Sequence, residues 1–130
     1  MLPVNHAGKV SMRYLVILAL LLLPMRVSAE TLLMMVRQDG CAYCEAWEAQ
    51  IGPIYPKTQE SRIAPLARVE FRAIPDDVAL KRPVVFTPTF VLLRDGMETG
   101  RIEGYPGEDF FWALLGRLLE DLPSSPTIDG

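Results

Sequence analysis

Residues 31–51 read TLLMMVRQDGCAYCEAWEAQI, and the change of pattern within them decides the fold. Residues 31–36 form an unbroken apolar run of strand length, which suits a strand covered on both faces. Asp39-Gly40 is a turn signal. Beyond it Cys44, Trp47 and Ile51 fall at i, i+3 and i+7, with Glu48 at i+4, so the period becomes that of a helix whose inner stripe ends near Gly52-Pro53. A buried strand therefore runs straight into a helix, with Cys41 and Cys44 at the junction.

Outward from this unit, residues 57–63 suggest a second short helical piece. Residues 68–73 alternate, Val69, Phe71 and Ala73 on one face and Arg68, Glu70 and Arg72 on the other, as in a half-exposed strand. A loop with Pro75 and Pro83 follows, with a short helical turn expected at 76–81. The run 89–93 (TFVLL) is again apolar on both faces, and Asp95-Gly96 makes a tight hairpin turn into the mixed-polarity strand 97–103. A last helix is expected over about 108–122. Glu108 and Asp109 sit at its positive end, Phe110, Phe111, Leu114, Leu115, Leu118 and Leu122 line one side, and Pro123 stops it. The two fully apolar strands belong at the centre and the two alternating ones at the edges. With a right-handed crossover at the start and a hairpin at the end, the expectation is an α/β thioredoxin-like fold: a four-stranded mixed sheet of order 2-1-3-4, with helices on both faces.

The chain has 130 residues, half of them apolar, with 13 Lys plus Arg against 16 Asp plus Glu, two Cys and one His. A net charge of −3 argues against a nucleic-acid binder. Two cysteines exclude a four-thiolate zinc cage, and one histidine excludes any site built on two imidazoles. Residues 14–23 (YLVILALLLL), preceded by Lys9 and Arg13 and followed by Pro24, Arg26 and Val27-Ser28-Ala29, have the pattern of a secretory signal peptide cleaved after Ala29. The run is shorter than the roughly 20 residues a spanning helix needs. An uncleaved membrane anchor is the alternative, and Met12 is a second candidate start. Cleavage removes Lys9, Arg13, Arg26 and no acid, which takes the net charge from −3 to −6. It also removes His6, leaving 101 residues without an imidazole. We expect a signal peptide at 1–29, one domain at 30–122, a mobile tail at 123–130, and a monomer.

Cys41-Ala42-Tyr43-Cys44 puts both sulfurs within one helical turn. Cys41 lies at the helix N-terminus, where unpaired N–H groups and the helix dipole favour a thiolate. Cys41 is then the nucleophile toward a substrate disulfide, and Cys44, further in, resolves the mixed disulfide. Asp39 and Glu45 are the nearest acids in sequence to take the resolving proton. Two other readings stand beside this one. A static disulfide would close too short a loop to reach the ~3 kcal/mol of a 15-residue loop. A cuprous site on the two thiolates would draw on Met34 and Met35, which read better as core. No metal site and no cofactor are expected.

The segment GCAYCEAWE followed by Thr87-Pro88-Thr89-Phe90 resembles the thioredoxin superfamily, in which a cis-proline faces the CxxC pair. The resemblance implies a substrate-binding role for Tyr43, Thr87 and Pro88: beside a cis X-Pro bond the Thr87 backbone turns outward, so that an extended segment can pair with it. More narrowly, GCAYCEAWEAQIGPIYPKT, SRIAPLARV, FTPTFVLLRDG and GRIEGYPGEDFFW resemble the SoxS group of periplasmic thioredoxin-like proteins of bacterial sulfur oxidation. This implies a periplasmic thiol-disulfide reductase, Cys41 and Cys44 forming its redox-active disulfide. Its substrate would be a protein with a reducible cysteine, such as a sulfur carrier, and a membrane electron donor would re-reduce it.

The sequence departs from ordinary thioredoxins. Gly40 precedes the first Cys in place of a Trp, Ala-Tyr replaces Gly-Pro, and Met35 stands in place of a buried Asp. Tyr43 and Gly107-Glu108-Asp109 are similar to glutaredoxins, which would admit glutathione mixed disulfides; simple capping of the last helix is the plainer reading. Trp47, Phe110 and Phe111 are expected in the core, Trp112 lies off that stripe, and Tyr105 is a candidate docking residue. Besides reduction, the sequence leaves open a disulfide-introducing oxidase and a non-catalytic copper-binding or regulatory module.

Overall fold

The computed structural model describes residues 29–123, together with Met12, Tyr14 and Ile17. The rest of the expected signal peptide and the tail beyond Pro123 lie outside the described residues. Among those described, no helix is long and apolar enough to cross a membrane. The elements are β1 (Thr31–Arg37), α1 (Ala42–Gln50), a 3-10 turn (Tyr55–Lys57), α2 (Gln59–Ile63), β2 (Leu66–Glu70), a 3-10 turn (Phe71–Ala73), β3 (Thr89–Arg94), β4 (Met97–Glu103) and α3 (Glu108–Glu120).

The sheet has the order β2-β1-β3-β4 that the hydrophobic patterns predict. β1 pairs parallel with β2 and antiparallel with β3, and β3 pairs antiparallel with β4. The central strands are buried on both sides, so their alternate residues feed two cores. On one face Leu33, Met35, Phe90 and Leu92 meet Cys44, Trp47 and Ile51 of the α1 region and Phe111 and Leu115 of α3. Trp47 centres this cluster, with ring centroids 5.1 Å from Phe90 and 5.6 Å from Phe111. On the other face Met34, Val36, Val91 and Leu93 are covered by Val84, Ile74, Val78 and Leu80 of the long connection between β2 and β3, not by a regular helix.

Four expectations need correction. Regular helices cover one face of the sheet and not both, because the apolar residues of the β2–β3 connection bury the other. The second strand ends at Glu70, because the chain turns into a 3-10 turn at Phe71 that folds Phe71 over the second core. The helical turn at 76–81 is absent: Ala79 is extended and bridges Met97 of β4, with the Glu98 N–H donating to Ala79 O at 2.9 Å. In α3 the inward face is rotated. Phe111 and Leu115 are buried and Trp112, Leu118, Leu119 and Leu122 pack against them, whereas Phe110 and Leu114 are exposed. Apolar residues at adjacent positions fit either helical face, and packing against Trp47 and Phe90 selects that of Phe111.

Candidate active site

β1 delivers the chain to its carboxyl end, where Gly40 turns it with a φ of +74° into the helix. Cys41 is the N-cap of α1, extended at φ −84° and ψ 103°, and its Sγ accepts the Cys44 N–H at 3.2 Å. A sulfur thus occupies the place a serine or aspartate oxygen takes at ordinary helix starts, where an orphan N–H and the dipole both favour negative charge. Behind it Ala42, Ala46 and Ala49 supply good helix formers, and the Ile51 N–H closes the last turn on Trp47 O at 2.8 Å.

Cys41 and Cys44 are bonded to each other, with Cα atoms 5.2 Å apart. Cys41 is 9% exposed and Cys44 1%, so Cys41 is the more accessible of the two. The pairing of Val36 with Thr89 brings the start of β3 beside the end of β1, and the Thr87–Pro88 bond before it is cis. Pro88 O accepts the Gly104 N–H at 2.7 Å, which draws in the connection from β4 to α3. Three loops therefore meet at one end of the sheet. Tyr43, Val85 and Phe86 are exposed there, and Thr87 is half-buried. Periodicity does not single out Val85 and Phe86; the available signal is an apolar VVF run standing in a loop, before Thr87-Pro88.

The groups around the sulfurs are mostly committed elsewhere. Asp39 is turned to solvent and pairs with Arg37 at 3.4 Å, and Glu45 is exposed. Glu48, the polar member of the helical stripe, forms a two-point pair with Arg68 of β2 at 2.6 and 2.8 Å. Met35 fills the core in the cluster that holds both cysteines. Met34 belongs to the core on the opposite face, away from the cysteines. Among the described residues, no group of three His, Cys, Asp or Glu could hold a metal ion. Tyr105 is not a docking residue but a wall of the core. It is 8% exposed, its hydroxyl donates to Gln50 Oε1, its ring packs edge-on against Phe111, and burial together with nearby Glu108 pushes its phenol pKa up. α3 starts at Gly107, with φ +105° and no side-chain cap, and its first turn carries Glu108 and Asp109. Those acids complement the helix dipole themselves and oppose a docked carboxylate, which argues against a glutathione site there.

A cysteine pair three residues apart at a helix start, with one residue at the edge of the core and its partner one turn further in, suits dithiol-disulfide exchange. Residues 25–119 match the family model of a thioredoxin-like domain. The chain is similar to the crystal structure of the periplasmic thioredoxin SoxS from Paracoccus pantotrophus in its reduced form. The TM-score is 0.70 and the identity 52%, over 72% of this chain and 100% of that one. No curated protein matches. With its sheet order, CxxC helix start and these similarities together, the chain belongs to the thioredoxin-like family and is a thiol-disulfide oxidoreductase.

Proposed function

We propose that the protein is a periplasmic reductase that clears disulfides or mixed disulfides from a partner protein of bacterial sulfur oxidation. The observation that carries this reading is the asymmetry of the cysteines at the start of α1, with Cys41 at the edge of the core, 9% exposed, and Cys44 1% exposed beneath it. The 52% identity to a periplasmic thioredoxin SoxS supports the compartment and the pathway. In the reduced protein the Cys41 thiolate attacks one sulfur of the substrate disulfide, and the other leaves as a thiolate and takes a proton. Cys44, deprotonated, then attacks Cys41 Sγ, which releases the second substrate thiolate and forms the Cys41–Cys44 disulfide. A membrane dithiol donor returns two electrons and two protons. Tyr43, Thr87 and Pro88, with exposed Val85 and Phe86 beside them, form the docking rim for an extended substrate segment.

Two measurements test the reading. A Cys44→Ser variant cannot resolve, so it should accumulate a covalent partner on Cys41 in periplasmic extracts, seen on non-reducing gels and identified by mass spectrometry. A sulfur-carrier protein in that adduct is the expected result, and no adduct at all would sink the reading. The reduction potential decides direction: a value near −270 mV fits a reductant and one near −120 mV an oxidant.

A further inference from the structure

The segment that covers the second face of the sheet also leads into the docking rim. Residues 74–84 lie over Met34, Val36, Val91 and Leu93, and residues 85–88 follow at once. An irregular connection of this length is mobile unless something ties it down. Here it is tied by Glu98 and Arg101 of β4. In a plain strand residues three apart point to opposite faces. β4 departs from this: Leu92 pairs with Gly100 and Leu93 with Glu98, so Thr99 is an extra residue that rephases the strand and puts Glu98 and Arg101 on the same side.

Arg101 Nε and Nη2 donate to Glu98 Oε1 and Oε2 at 2.6 and 2.8 Å, and the two side chains are 4% and 1% exposed. Arg101 Nη1 also lies 3.7 Å from Glu103 Oε1 of the same strand, and the pair's other contacts go to three consecutive residues of the connection. The Lys81 N–H donates to Glu98 Oε2 at 2.7 Å, Arg101 Nη2 to Arg82 O at 2.7 Å, and Arg101 Nη1 to Pro83 O at 3.3 Å. Val84 then enters the core, and Val85 and Phe86 emerge on the surface. At the far end Phe86 O accepts the Thr89 hydroxyl at 2.8 Å and Pro88 O accepts the Gly104 N–H. Residues 84–88 thus form a short arch clamped at both ends. A buried ion pair generally gives no more stability than apolar residues of the same volume. What this pair adds is geometry, since its hydrogen bonds fix three backbone positions immediately before the arch.

We propose that Glu98 and Arg101 are positioning residues for disulfide exchange: they set where the 85–88 arch stands beside Cys41, and so how well a protein disulfide docks. The proposal deepens, and rests on, the reading of the site as a protein-disulfide reductase. The test uses the double variant Glu98→Met with Arg101→Met, which removes the clamp while filling its volume, and Arg101→Lys, which keeps the charge but loses the fork that reaches both carbonyls. Each is assayed on insulin as the protein disulfide and on dithiobis-nitrobenzoate as a small one. The expected result for both variants is a KM for insulin raised about tenfold with kcat nearly unchanged. Rates on the small disulfide and the reduction potential should equal those of the wild type. Amide hydrogen exchange at Val85 and Phe86 should be faster. A folded variant of either kind with the wild-type KM for insulin would overturn the proposal, as would a parallel loss on both disulfides. A wild-type protein that reduces the small disulfide but not insulin would overturn the underlying reading, and the proposal with it.

Discussion

Tyr55 is fully buried beneath α1 and α3, yet its hydroxyl finds a partner: it donates to Ala64 O at 2.6 Å. Burial, with nearby Glu60 second, pushes its pKa far above that of an ordinary phenol, so the group stays neutral at any physiological pH. Its ring stacks on Trp112 at 6.1 Å, which accounts for the partial burial of a tryptophan off the main stripe of α3. Replacing Tyr55 by Phe keeps the ring and removes only the donor, leaving a buried carbonyl unpaired; we expect a loss of about 1–3 kcal/mol. Urea unfolding measures it, and an unchanged midpoint would mean that water replaces the hydroxyl. Trp47 provides the contrast, because its buried Nε1 has no hydrogen-bond partner. There the contacts with Phe90, Phe111 and Tyr55 outweigh one unmade bond.

At the scale of elements, the start of α1 depends on one backbone conformation. Gly40 has φ +74° with open space where a Cβ would be, so a side chain there is opposed by conformation alone. Gly40→Ala should cost about 1–2 kcal/mol, and Gly40→Asn less, since Asn visits the left-handed region more readily. Thermal unfolding of the two variants orders them, and equal losses would point to a steric cause instead. This element, the two apolar central strands and the sheet order are all legible in the sequence, because each depends on local period or on a turn residue. The inward face of α3 is less so: Phe110 and Phe111, like Leu114 and Leu115, offer two equivalent stripes, and only contact with Trp47 and Phe90 chooses between them. Of the site, Cys41, Cys44 and the Thr87-Pro88 pair stand out as motifs. Glu98 and Arg101 do not, because strict alternation places them on opposite faces of β4, where they cannot pair. One extra residue, Thr99, reverses that, and a bulge leaves little trace in composition.

Across the whole molecule the two faces of the sheet are held by different physics. One is an aromatic and aliphatic core under α1 and α3, insensitive to pH. The other joins a loop to the sheet through a buried charge pair. Burial opposes ionisation of Glu98, but the Arg101 guanidinium, the Lys81 N–H and the field of Arg82 outweigh it and hold the carboxyl below the usual carboxylate range. Arg101 is raised in turn by its hydrogen bond to Glu98, against the effect of burial. A carboxyl whose pKa is depressed by folding stabilises the protein above its unfolded pKa, about 4.3 for Glu, and that contribution is lost as pH falls through the lower folded value. Glu98→Gln removes it at every pH and takes from the buried Arg101 its two-point partner, leaving only the Glu103 carboxylate at 3.7 Å, so at neutral pH the variant should be up to about 3 kcal/mol less stable than the wild type. As pH falls from the unfolded value through the lower folded one, the wild-type protein loses the benefit of that charge too, and the gap should shrink as acid is added. Urea unfolding of both proteins in a series from neutral to strongly acidic buffer follows that gap. A gap that stays constant through the series would mean that Glu98 contributes as a hydrogen-bonding shape and not as a charge, and that the loop face is no more sensitive to acid than the helical one.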